Sequence, residues 1–258
     1  MISDSTVAAG TCVLAEKQWG GLRFRVSPSV PGFRLRPDPG ENLEFLVSAH
    51  TAPATDTLEV SLAPEPPGGP DAGRPFYSSP RGWRMVLENN VRVALNHPPA
   101  FKHPLWKAQL DWPVEEVRLR MGVDMRAGEE GLWHDPFCYP LDQIVTMYVL
   151  ASRQGLIVHG AGVVIHDGGW IFAGKSRAGK STISDLILQS WPEARLLNDD
   201  RVIVRRAPGG WTVYGTPWSG RLQTCHADEA PLRGIFWLRH AGESRVTAMG
   251  PAESAENS

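Results

Sequence analysis

The sequence predicts a β-rich N-terminal region over residues 1–130 followed by an α/β domain over 131–258. Three patterns carry that expectation. From about residue 18 to 122, short segments alternate apolar and polar residues, the period of strands with one buried face. At 139–155 the spacing becomes helical. Beyond it, apolar runs punctuated by glycine surround one strong helix, as expected of a separate α/β core.

The N-terminal segments "GLRFRVS", "LEFLVSAH", "DTLEVSLA", "GWRMVLE", "VRVALN" and "VEEVRLRM" each read as a half-buried antiparallel strand. Between them "APEPPGGPDAGRP" holds too much Pro and Gly to be anything but a loop. In "YPLDQIVTMYVLASRQG", Leu141, Ile144, Val145, Tyr148 and Leu150 fall at helical spacing, and Gly155 closes the run. Four further apolar stretches, "GLIVHGAGVVIHDGGWIFAG", "ARLLNDDRVIVRR", "GGWTVYGTP" and "GIFWLRH", read as strands.

Composition narrows the partners. The chain has 258 residues and a formal net charge of −2, which gives no electrostatic reason to expect nucleic acid or an anionic membrane. Cys12, Cys138 and Cys225 are odd in number and never form a C-x-x-C pair, so neither a disulfide framework nor a thiolate zinc site is expected. The N-terminus lacks a basic start followed by an apolar run, and no stretch reaches the length of a spanning helix. A cytoplasmic protein is the expectation.

The stretch "GWIFAGKSRAGKSTISDLI" satisfies the phosphate-loop pattern twice, with Lys175 as its lysine in one frame and Lys180 in the other. Context separates the two. A phosphate loop needs an incoming strand, a glycine turn whose N–H groups wrap the anion, and a helix whose N-terminus faces it. The first frame would put the bulky "WIFA" inside the loop. The second makes "WIFA" the strand, Gly174, Lys175, Ser176, Arg177, Ala178 and Gly179 the loop, and "KSTISDLILQSW" the helix. In that helix Ile183, Leu186, Ile187 and Ser190 share a face while Ser184, Asp185 and Gln189 look outward. The nucleotide would then meet Lys180 at its β- and γ-phosphates, Ser181 beside Mg²⁺, and Thr182 next to it. Lys175 and Arg177 either add charge to the phosphates or are ordinary loop cations.

Phosphoryl transfer also needs a carboxylate at the end of a nearby strand. "ARLLNDDRV" ends in Asn198, Asp199 and Asp200, read as one metal-side and one proton-accepting acid, with a plain N-D-D turn as the competing reading. His159 in "LIVHGAG" ends another apolar strand, a place where histidines are as often structural as reactive.

Together, "IVHGAGV", "FAGKSRAGKST" and "LLNDDRV" resemble the C-terminal catalytic domain of the HPr kinase/phosphorylase family. With the "P-L-D" helix and "YGTPWSG", the chain looks most like the HPr-kinase-related proteins of ribosomal peptide clusters. The resemblance covers roughly residues 140–220. It implies a phosphoenolpyruvate-carboxykinase-like P-loop kinase domain using ATP and Mg²⁺ to phosphorylate a serine-type hydroxyl on a peptide or protein, as a homo-oligomer or a monomer. In its terms Asp199 is the proton-accepting aspartate, Asp200 its metal-side neighbour with Ser181, and His159 the site histidine. No "E-I-R-G" signature follows Asp200, so the resemblance does not extend to phosphorylase activity. Trp218 and Arg221 either line an acceptor groove or pack. A non-catalytic nucleotide-binding module and a small-metabolite kinase are the alternatives. Residues 1–125 carry no chemical motif and are either a structural β layer or a substrate recruiter.

Overall fold

A computed structural model describes residues 14–48, 51, 53–68 and 73–250. Cys12, the N-terminal segment, the middle of the Pro/Gly-rich stretch and the last eight residues of the polar tail lie outside them. The chain divides into two compact units, 1–154 and 155–258.

The first unit is built on an eight-stranded sheet of β1 (Ala15–Trp19), β2 (Leu22–Pro28), β4 (Asp56–Ala63), β5 (Arg74–Ser78), β6 (Trp83–Glu88), β7 (Val91–Asn96), β8 (Trp106–Leu110) and β9 (Glu116–Met121), in the order β1-β2-β4-β9-β8-β7-β6-β5. A small parallel pair, β3 (Arg34–Arg36) with β10 (Leu132–His134), stands apart. Alternation correctly marks the buried rows: Leu22, Phe24 and Val26 lie beside Leu58, Val60 and Leu62, which lie beside Val117, Leu119 and Met121, all buried. Direction is another matter. β2, β4 and β9 run parallel, so the sheet is mixed, not antiparallel as expected. Alternation reports which face is buried, and an antiparallel and a parallel strand alternate alike.

The described part of "LEFLVSAH", residues 43–48, is not a strand. Asn42 accepts a hydrogen bond from the Glu44 N–H at 3.0 Å and starts a 3₁₀ turn over Leu43–Phe45. Among these described residues, only Leu46 bridges to a strand, at Lys17. The helix α1 (Leu141–Ser152) forms as expected and buries Leu141, Ile144, Val145, Val149 and Leu150. Its Thr146 hydroxyl accepts from the Trp19 indole at 2.9 Å, tying the helix to the sheet.

The second unit comprises β11 (Gly155–Ile165), β12 (Gly168–Ala173), the helix α2 (Lys180–Ser190), β13 (Arg195–Asn198), β14 (Arg201–Ala207), β15 (Gly210–Tyr214) and β16 (Glu229–Trp237). The long strand β11 pairs with β14 through its first half and with β12 and β13 through its second, all antiparallel. β14–β15 and β15–β16 are antiparallel, and β16 returns beside β12 as the unit's single parallel pair, so the ladder closes on itself. Val164, Ile171, Leu197, Val202, Val204 and Val213 fill the interior.

This overturns the expected fold class. Among the described residues sixteen strands accompany two α-helices, and the large sheets are mostly antiparallel. The chain is predominantly β and not an α/β phosphoenolpyruvate-carboxykinase-like P-loop kinase fold. The reason is in the connections. Two-residue turns at His166–Asp167 and Pro208–Gly209 join consecutive strands as hairpins, and a hairpin cannot hold the crossover helix that parallel strands need. Only α2 makes such a crossover, carrying the chain from one side of β11 to the other.

The helix α2 sits slightly turned from the expected face. Ile183 and Ile187 pack toward Val163, Phe172, Ala194 and Leu196. Ser184, expected outside, is fully buried, and Leu186, expected inside, is 53% exposed. A small side chain at 184 lets the helix approach the sheet closely, and the Ser184 hydroxyl is satisfied by the Lys180 carbonyl at 3.0 Å. No helix among the described residues is long and apolar enough to cross a membrane.

Candidate functional site

β12 ends at Ala173, and the chain turns through Gly174–Gly179 before entering α2 at Lys180. Three positions in the turn have positive φ, Gly174 at 157°, Arg177 at 67° and Gly179 at 99°. The conformation at Gly179 disfavours any residue with a Cβ. No side chain caps α2, and its first backbone bond within the helix is Ile183 N–H to Gly179 carbonyl at 2.9 Å. The N–H groups of Lys180, Ser181 and Thr182 therefore have no intrahelical acceptor, which makes this helix start a place for an anion.

Lys180 folds back over the loop. Its Nζ donates to the Gly174 carbonyl at 2.9 Å and reaches the Lys175 carbonyl at 3.4 Å. Among the described residues no carboxylate pairs with it. Lys175, Ser176 and Arg177 are exposed, and Ser181 is half-buried. The competing frame has no loop at all: Gly169 lies within β12 opposite Val164, packed so tightly that a Cβ would collide with Val213.

The acid pair follows β13 and is organised by Asn198, which sequence reading left as a strand-end residue. Fully buried, Asn198 donates through Nδ2 to the carbonyls of Thr216 (2.9 Å) and Trp218 (3.2 Å). Its Oδ1 accepts the N–H groups of Asp200 (2.7 Å) and Arg201 (2.9 Å). One amide thus joins the acid turn to the "GTPW" segment.

The two aspartates face different ways. Asp199 is 5% exposed, and its carboxylate accepts the N–H of Gly220 on Oδ1 and of Leu222 on Oδ2, each at 2.7 Å. Asp200 is half-buried, with its carboxylate 2.6 Å from Arg201 Nη1 and 3.4 Å from His159 Nδ1. Gly220 is a glycine for a local reason. A Cβ there would lie 2.7 Å from Asp200 Cβ and 2.9 Å from Asp199 Oδ2, so only bare backbone passes this close to the pair.

Strand register brings these parts to one end of the sheet. His159 pairs with Arg201, the neighbouring Gly160 pairs with Ala173 at the start of the loop, and Gly160 N–H donates to the Asp200 carbonyl at 3.0 Å. His159–Gly160 therefore lies between the loop's incoming strand and the acid turn. A Cβ at Gly160 would press on Ile171 and Phe172, which keeps that strand crossing tight. Thr182 is exposed at the start of α2. Trp218 is buried at 5% exposure and packs, whereas Arg221 is exposed.

Magnesium fits this donor set in a limited way. Among the described residues no cluster of three or more His, Cys, Asp or Glu could cage a metal. Mg²⁺ commonly takes one or two protein oxygens and completes its shell with phosphate oxygens and water. Ser181 and Asp200 are the accessible oxygen donors of that kind. The chain matches no family model, and no curated protein matches it in sequence.

Proposed function

We propose that the second unit is an ATP-dependent phosphotransferase that passes the γ-phosphate to a serine-type hydroxyl of a peptide or protein. What carries this reading is the register that sets the phosphate loop, His159 and the Asp199–Asp200 turn at one end of the same strands. The resemblance to the HPr-kinase-related proteins, whose motifs fall on these residues, supports it. The reading owes nothing to a kinase fold, since the architecture is predominantly β.

In this mechanism the turn and the first N–H groups of α2 hold the phosphates, and Lys180 leaves the loop carbonyls to neutralise the β- and γ-phosphates. Ser181 and phosphate oxygens would hold Mg²⁺, which supplies charge neutralisation. The acceptor oxygen bonds to the γ-phosphorus, the bond to the β–γ bridging oxygen breaks, and ADP leaves. The hydroxyl proton goes to Asp200, the more exposed carboxylate of the pair, with Arg201 and His159 beside it to share the charge. Asp199, both oxygens occupied by backbone donors, anchors the 220–222 segment. This moves the base role that the resemblance implies for Asp199 to Asp200 and leaves Asp199 a positioning role.

The test is transfer of radiolabelled γ-phosphate to a serine-peptide library. Asp200→Asn should keep ATP affinity and lose transfer, and Lys180→Ala should lose both. Full transfer by Asp200→Asn would return the base role to Asp199 or abolish it. The engaged Asp199 carboxylate also favours a second reading, a nucleotide-binding module without transfer. That reading gains if wild type binds ATP tightly and labels no acceptor.

A further inference from the structure

The outer wall of the phosphate loop borders a cavity of about 510 Å³, formed by Lys175–Ala178 on one side and Trp237–His240 on the other. We propose that this cavity takes the base and ribose of the nucleotide, with Trp237 as the stacking face. The proposal rests on the phosphate-loop reading above and adds the nucleoside half to it.

Four observations point there. Pockets of roughly 300–1,000 Å³ suit small organic ligands, so the volume is ample for a nucleoside. The wall is shared with the loop that would wrap the phosphates, and a ribose joined to the α-phosphate must emerge within a few bonds of that loop. The ring chemistry fits as well. Trp170, Phe172 and Phe236 stack among themselves, but among the described residues no ring stacks on Trp237, which is half-buried at the cavity. An indole left without an aromatic neighbour is a ready platform for a base. Lastly, the wall is held firmly. Leu238 N–H donates to the Ala173 carbonyl at 2.7 Å, and His240 Nε2 donates to the Arg177 carbonyl at 2.8 Å. The second bond fixes the residue that carries the left-handed φ of 67°. The strand continuation at 237–240 therefore holds the loop from outside and lines the cavity at once.

Arg177 and Lys175 are exposed on the loop, and among the described residues no carboxylate pairs with either. That cationic rim suits the phosphate end of a nucleoside phosphate and disfavours a cationic ligand.

Calorimetric titration with ATP and with inorganic triphosphate separates the nucleoside contribution from the phosphate one. Wild type should bind both. Trp237→Ala should weaken ATP by about tenfold or more, the scale of one lost stacking contact, and leave triphosphate within about twofold. Trp237→Phe should stay close to wild type for both ligands. Trp237→Leu, which keeps an apolar side chain and removes the aromatic face, should behave like Trp237→Ala and serves if the alanine variant does not fold. Equal loss of ATP and triphosphate, or no loss of either, overturns the nucleoside site while the phosphate loop stands. If triphosphate binding were absent or indifferent to Lys180→Ala, the phosphate-loop reading itself would fall, and this inference with it.

Discussion

Lys17 in the first unit and Lys180 in the second are both drawn in from solvent, and they are satisfied in opposite ways. Lys17 is 5% exposed, with its ammonium 2.7 Å from Asp135, 2.5 Å from Glu41 and 3.0 Å from the Phe137 carbonyl. Among the described residues, Lys180 bonds only the backbone carbonyls of its own loop. Two carboxylates close the first site, and a buried charge that is fully paired has nothing left to offer a ligand. The second keeps a full positive charge beside unpaired helix-start N–H groups, an arrangement an anion would complete. Such cations are therefore informative through their partners: one is closed by two carboxylates, and the other is held by backbone carbonyls alone among the described residues.

That contrast can be broken at either lysine. The largest expected effect is on stability in the first unit. Lys17→Ala strands Asp135 and Glu41 in a dry site and should cost about 3–5 kcal/mol, read by urea denaturation. The same network has an alkaline signature. Burial works against the Lys17 charge, but Asp135 and Glu41 outweigh it and hold its pKa above the ordinary lysine value. A raised folded-state pKa means that this stabilisation is fully present below pH about 10.4, the unfolded value, and is lost as pH rises through the folded one. Alkaline unfolding of wild type that Lys17→Met lacks would show it; identical alkaline profiles would argue against it.

Next comes Lys180→Ala, expected to lower phosphate transfer by about 100- to 1,000-fold while leaving the urea midpoint nearly unchanged. A large stability loss would make Lys180 a structural lysine after all and erase the contrast. Gly220→Ala should fall between the two behaviours. Its Cβ meets both aspartates, so a cost of about 1–3 kcal/mol should accompany a loss of transfer. Unchanged activity would mean that the 220–222 segment does not position the acid pair. The smallest effect belongs to Lys175→Ala, whose side chain is exposed; ATP affinity should stay within about threefold. If Lys175 proved the more damaging of the two loop lysines, the wrong frame would have been chosen.

Parts of this were legible in the residues and parts were not. The loop frame could be read because the requirement is local: a strand, a glycine turn and a helix within about twenty consecutive residues. The helix at 141–152 and five of the ten described N-terminal strands, β2, β4, β6, β7 and β9, were legible for the same reason. Strand direction was hidden, since Leu58 and Val60 alternate identically whichever way β2 runs beside them. "LEFLVSAH" misled because Asn42 captures the Glu44 N–H and turns the chain before a strand can start. The two aspartates look alike in sequence, and their division of labour depends on Gly220 and Leu222, more than twenty positions away.

By itself the sequence determined which residues form the strand, glycine turn and helix at 168–190 and which faces of the strands are buried. Both follow from short-range backbone preference and apolar spacing. Tertiary structure alone decided that hairpins replace crossover helices and that Lys17 is closed by Asp135 while, among the described residues, no carboxylate pairs with Lys180. It also decided that Asp199 turns inward and Asp200 outward. Those outcomes depend on which distant backbone groups and charges arrive beside each residue, and no local pattern encodes an arrival.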